Sequence, residues 1–127
     1  MVTTAETVVH HCTEAGIDVE KAKFAPDALI IKNPAGPVSG LPGDGEGYFH
    51  VQDEAAQLVT WLSGPFSKGG RYLDACAGLG GKTITLAQLL PDDTDLYGVE
   101  PNEQGFKLLQ QNIKRMGLVK KVTCFHG

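Results

Sequence analysis

Several shortages in this sequence each exclude something. No uninterrupted apolar run reaches about 18 residues, so no membrane span is expected. Cysteine is confined to Cys12, Cys76 and Cys124, an odd number at wide spacing with no C-x-x-C pair. That argues against a disulfide frame or a zinc site and for reduced thiols in a cytoplasmic setting. The N-terminus lacks the basic-then-apolar pattern of a secretory signal. Aromatic residues make up 7%, and 11 Lys and Arg face 15 Asp and Glu, so the chain taken whole is a poor binder of polyanions. What is present is 42% hydrophobic residues over 127 positions, which rules out disorder and supplies core for one domain at most.

The charge is uneven. Residues 1–70 carry four Lys/Arg against nine Asp/Glu, whereas residues 71–127 carry seven against six. From Gly105 to Gly127 there is no acid at all, only Lys107, Lys114, Arg115, Lys120 and Lys121. This run is either a solvated helix face followed by a loop or a local basic surface.

Periodicity organises the chain. Thr3-x-x-Glu6 has capping-box spacing, Ala5, Val8, Val9 and Cys12 form one helical stripe, and Gly16 stands where a helix would stop. Residues 17–20 and 28–31, separated by Ala25-Pro26-Asp27, predict a hairpin. Residues 33–47 hold eight Gly or Pro in fifteen positions and predict a connector. Tyr48-Phe49-His50-Val51 is a strand candidate, and Asp53 is placed to cap a helix ending before Gly64-Pro65. Strand at 71–76, helix at 82–90, strand at 96–99, helix at 102–116 and strand at 122–125 then alternate. The expectation is an α/β chain: residues 1–47 as a small N-terminal α/β segment, residues 48–127 as an incomplete Rossmann-like parallel sheet. Three parallel strands are half of a usual open sheet, so the chain reads as a fragment lacking the C-terminal half of the domain.

The informative stretch is Leu73-Asp74-Ala75-Cys76-Ala77-Gly78-Leu79-Gly80-Gly81-Lys82-Thr83. A glycine-rich strand-to-helix turn offers backbone N–H groups at the positive end of a helix dipole. A triphosphate loop is disfavoured, because Cys76 stands where its first glycine belongs. A dinucleotide fingerprint is weakened, because Thr83 holds its third glycine position. Glu100 follows at the end of the next strand, at the spacing of an acid that accepts ribose hydroxyls. The plain alternative is that Glu100 only caps the following helix. Loop plus acid indicate an adenosine-containing cofactor without fixing which one.

Val51-Gln52-Asp53-Glu54-Ala55-Ala56-Gln57, the 73–83 block and Gly98-Val99-Glu100-Pro101 together resemble the RNA cytosine-5 methyltransferases of the Sun/Fmu type. The resemblance spans about residues 16–127. It implies a class I methyltransferase fold and S-adenosyl-L-methionine held by Cys76, Ala77, Gly78, Leu79, Gly80, Gly81, Lys82 and Glu100. It also implies ribosomal RNA as partner and an RNA-binding subdomain around residues 3–32. The sequence departs from the family in Gly78-Leu79, where Ala-Pro is usual, and in Glu100, where Asp is common. The family's two catalytic cysteines would lie beyond residue 127, so no catalytic residue is assigned and this segment alone is expected not to turn over. Thr123-Cys124 spells the family's nucleophile dipeptide but falls before that motif, and Cys124 reads as a buried central-strand residue.

Cys12 and Trp61 read as core, and His10, His11, His50 and His126 have no metal-ligand spacing. Two rivals are a non-catalytic RNA-binding or assembly module using the basic run, and a nicotinamide-dependent oxidoreductase fragment.

Overall fold

The computed structural model describes residues 3–34 and 36–127. Their contacts divide into two compact units, one ending at Leu58 and the other beginning at Val59.

In the first unit, helix α1 (Ala5–Glu14) is capped by Thr4, whose Oγ1 accepts the Thr7 N–H at 3.3 Å. The cap is one residue later than the Thr3-x-x-Glu6 spacing predicts. With Thr4 as cap, Glu6 falls in the first turn and pairs with Lys21 at 3.3 Å. Val8 and Cys12 are the buried members of the stripe, and Gly16 ends the helix at φ +73°. Strands β1 (Val19–Lys21) and β2 (Leu29–Ile31) form the expected antiparallel hairpin, with Val19 opposite Ile31 and Lys21 opposite Leu29. At its tip, the Glu54 carboxylate accepts the N–H groups of Phe24 (2.6 Å) and Ala25 (2.9 Å).

The strand expected at Tyr48–Val51 does not form. The Tyr48 N–H instead donates to the Gly43 carbonyl at 2.9 Å, and its ring stacks on His11 with centroids 5.8 Å apart. Gly43 permits this at φ +90°, since a Cβ there would lie 2.6 Å from the Tyr48 ring. The Gly/Pro-rich segment is therefore folded back on itself and holds one 3₁₀ turn, Val38–Gly40. The boundary between the units falls within helix α2 (Glu54–Leu62).

The second unit is built as β3 (Arg71–Asp74), α3 (Gly81–Leu89), β4 (Asp95–Glu100), α4 (Glu103–Arg115) and β5 (Val122–His126). The three strands are parallel in the order β3-β4-β5, with Asp74 opposite Gly98 and Glu100 opposite His126. This is the α/β architecture expected for the second half. β4 is central, and its partners α3 and α4 supply Ile84, Ala87, Leu109 and Ile113 to a core with Leu96 and Val122. Burying each of the larger side chains stabilises by about 1.5–3 kcal/mol. Helix α4 is read well from sequence: Asn102 caps it, its Oδ1 accepting the Gly105 N–H at 2.8 Å, Lys114 and Arg115 occupy its last turn, and Gly117 follows at φ +71°.

Two core expectations are corrected. Trp61 is 40% exposed. Cys124 lies on the edge strand β5 and is half-buried, because strand order, which the sequence does not display, puts β4 in the middle. Among the described residues, no helix is long and apolar enough to cross a membrane.

Candidate functional site

The turn from β3 into α3 is fixed by a set of bonds that the sequence only partly announces. Asp74 ends the strand, and its Oδ1 accepts the Cys76 N–H at 3.2 Å, which stops the strand at 74 where the apolar pattern runs to 76. Its Oδ2 accepts the Thr83 hydroxyl at 2.7 Å, tying strand end to helix start across nine residues. The Ala77 N–H donates to the Val99 carbonyl of β4 at 3.0 Å, and the Gly80 N–H donates to the Ala77 carbonyl at 2.9 Å. Asn112 of α4 donates its side-chain amide to the Leu79 carbonyl at 2.8 Å. Asp74, Thr83 and Asn112 are the site residues that sequence reasoning passed over. The signal for the first two was an acid closing a strand with a hydroxyl one helical turn beyond the glycines.

The glycines do different things. Gly78 adopts φ +55°, and a Cβ placed on it would meet no atom within 4 Å. Gly80 adopts φ +95° and serves packing, because a Cβ there would lie 2.9 Å from Cδ1 of the fully buried Leu109. Helix α3 begins at Gly81 with Gly80 as its cap and no side-chain capping bond. The first amides of α3 therefore present donors and the positive end of the dipole at the C-terminal edge of the sheet.

Glu100 closes β4 at that same edge, two residues past the Asp74–Gly98 pairing, or about 6.6 Å along the strand. Its Oε1 accepts the Asn102 N–H at 2.8 Å, so the helix-capping alternative is true in part, although Asn102 itself is the cap. Gly105 makes the room, since a Cβ on it would sit 3.1 Å from the Glu100 carboxylate. The bond orients the carboxylate and leaves Oε2 as its second acceptor.

The eight predicted residues are thus placed as follows. Ala77, Gly78, Leu79, Gly80 and Gly81 form the turn, and Glu100 stands on the neighbouring strand. Cys76 and Lys82, both exposed, instead line an open cleft of about 310 Å³ with Asp74, Leu73 and Leu86. Burial pushes the thiols of Cys12 and Cys124 up from their ordinary range.

The basic run does not make one free surface. Lys107 pairs with Glu103 at 2.7 Å, and Lys121 donates to the Leu90 carbonyl at 2.6 Å with Asp92 at 3.7 Å. Among the described residues, no group of three or more His, Cys, Asp or Glu is placed to hold a metal ion.

This arrangement has relatives. The family model described as 16S rRNA methyltransferase RsmB/F matches residues 62–127. The ribosomal RNA small subunit methyltransferase B of Escherichia coli O6:K15:H31 is 40% identical over 115 residues, covering 90% of this chain and 25% of that protein. The crystal structure of PH0851 superposes with a TM-score of 0.90 at 28% identity, over 99% of this chain and 28% of that one. The structure of NSun6 from Pyrococcus horikoshii with SFG does so with a TM-score of 0.61 at 25% identity, over 79% of this chain and 26% of that one. The chain spans about a quarter of the length of the curated relatives it matches. The matched region carries the glycine turn, the acid at the end of β4 and the parallel register described above, and this chain belongs to the 16S rRNA methyltransferase RsmB/F family.

Proposed function

We propose that this chain is the S-adenosyl-L-methionine-binding part of an RNA cytosine-5 methyltransferase that acts on ribosomal RNA in the cytoplasm. One observation carries the reading: an uncapped helix start and an oriented carboxylate stand on adjacent parallel strands at the same sheet edge. Ligands of open α/β sheets bind at that edge. The family relation supports the RNA substrate, and SFG in the NSun6 structure is an analogue of S-adenosylmethionine.

The residues present fit such a cofactor. The main chain of Cys76–Gly81 and the first amides of α3 would hold its acceptor groups. Space above Gly78 admits a ligand atom where a side chain would intrude. Lys82, exposed on the first turn of α3, would meet its carboxylate, and Glu100 Oε2 would accept from a ribose hydroxyl. When bound, the cofactor supplies an electrophilic methyl group on sulfur. This chain's contribution is to bind and orient. Of its thiols, Cys12 is buried and Cys124 is held up by desolvation, while exposed Cys76 sits in the turn assigned to the cofactor. The dinucleotide alternative has little support, because Thr83, at the third glycine position, is fully buried and bonded to Asp74.

Calorimetric titration with S-adenosylhomocysteine tests the reading. Saturable binding that is lost in Glu100→Ala, with no comparable heat from NAD, is expected. Heat indistinguishable from dilution overturns it.

A further inference from the structure

The tip of the β1–β2 hairpin carries an aromatic side chain that the fold does not use. Phe24 is 63% exposed, although Ala25 and Ala28 beside it are buried. Its main chain is held firmly. The Glu54 carboxylate takes the N–H groups of Phe24 and Ala25, and those bonds draw the carboxyl below its usual range. The Ala22 N–H donates to the Ala28 carbonyl at 2.8 Å, closing the turn behind the ring. The Lys23 ammonium lies 5.0 Å from the centre of the Phe24 ring. With that much of the residue exposed while Lys23 covers one face, the opposite face is open to solvent. A cavity of about 230 Å³, lined by Lys21–Leu29 and Ala5, adjoins it.

A fixed backbone, an open ring face and a cation that draws electron density to the other face are the parts of a stacking platform for a planar, electron-rich ring. We propose that Phe24, backed by Lys23, stacks an unpaired base of the RNA. This deepens the function proposed above and rests on it for the identity of the polymer. Stacking has to carry the contact, because residues 1–58 hold three Lys against nine Asp and Glu, and Lys21 is engaged with Glu6. A phosphate-gripping site would be built with the opposite charge. The contact at Phe24 is therefore weakly dependent on salt, unlike one built from lysine–phosphate pairs.

The test uses the whole chain and a single-stranded oligoribonucleotide of mixed sequence containing 2-aminopurine, read by fluorescence quenching and by anisotropy. Phe24→Ala removes a ring that buries little, so the fold is expected to survive, and S-adenosylhomocysteine titration and circular dichroism verify it. Phe24→Ala removes one base–aromatic stack and is expected to weaken RNA binding about tenfold and to abolish its share of the quenching. Phe24→Trp restores both, and the ratio between wild type and Phe24→Ala stays nearly constant from low to moderate salt. Equal RNA affinity in wild type and Phe24→Ala overturns the platform while leaving the cofactor reading intact. So does a Phe24→Ala effect confined to self-association, which would make the ring a protein contact. Absence of S-adenosylhomocysteine binding strikes the cofactor reading, and the RNA arm still decides the platform.

Discussion

Gly80→Ala is the most informative single change in the second unit. Two costs are separable there. An L-residue at φ +95° is strained by about 1–2 kcal/mol, and the new Cβ would lie 2.9 Å from Leu109 Cδ1. Leu109 has no exposed surface, and Ile84 and Ile113 close the same space at 3.7 and 4.0 Å, so the leucine cannot swing freely. Overpacking of this kind costs about 1–3 kcal/mol. The sum is about 2–5 kcal/mol, a large part of the 5–15 kcal/mol typical of a domain. Urea unfolding monitored by circular dichroism measures it. Gly69→Ala is the control, because Gly69 has φ +65° but open space where its Cβ would go, so it reports backbone strain alone. In the double variant Gly80→Ala/Leu109→Ala, the two costs are expected to sum to less than the singles by about 1–3 kcal/mol, since the truncated Leu109 makes room. If Gly80→Ala costs no more than Gly69→Ala, the packing role assigned to Gly80 is wrong.

Other outcomes are expected from the same geometry. Thr83→Val, which keeps the shape and leaves Asp74 Oδ2 without its donor, should destabilise by about 1–3 kcal/mol in the same urea assay, and Thr83→Ser should recover most of that. Glu54 has its pKa lowered from 4.5 by the Ala25 and Phe24 N–H groups. Its contribution is therefore present above that pH and is lost as the carboxylate protonates below it. Glu54→Gln should flatten the acid limb of the first unit's stability, visible as protection factors at Phe24 and Ala25, corrected for intrinsic exchange, that no longer fall with acid. Thiol labelling at pH 8 should modify exposed Cys76 first, Cys124 slowly and Cys12 only on unfolding. S-adenosylhomocysteine should slow the Cys76 reaction, and a rate indifferent to it would count against the proposed cofactor position.

The elements that sequence displays best are those whose signals are local. Helix α4 announces both ends through Asn102 and Gly117 and its buried face through Leu109 and Ile113. The βαβαβ alternation was legible for the same reason, and the 73–83 block with Val51–Gln57 and Gly98–Pro101 carried the family resemblance. What escaped depended on partners far along the chain. Tyr48–Val51 has the composition of a strand, but among the described residues no strand pairs with it and Tyr48 bonds to Gly43 instead. The edge position of Cys124 follows from which strands are neighbours, and periodicity carries no such information. Around the site, the turn and Glu100 were readable, but the reach of Thr83 to Asp74 and of Asn112 to Leu79 was not. Hydroxyl and amide side chains give no sign in sequence of which distant oxygen they will find.

The Asn112 bond couples helix α4 to the bend that leads from β3 into α3. Its donor belongs to α4 and its acceptor to the glycine bend, 33 residues earlier. The curvature of that bend is consequently a shared property, and any slippage of α4 along the sheet must pull on the Leu79 carbonyl. Substitutions on the outer surface of α4, remote from every donor offered by the bend, thus become a means of loosening or tightening its grip without altering one residue of the loop itself.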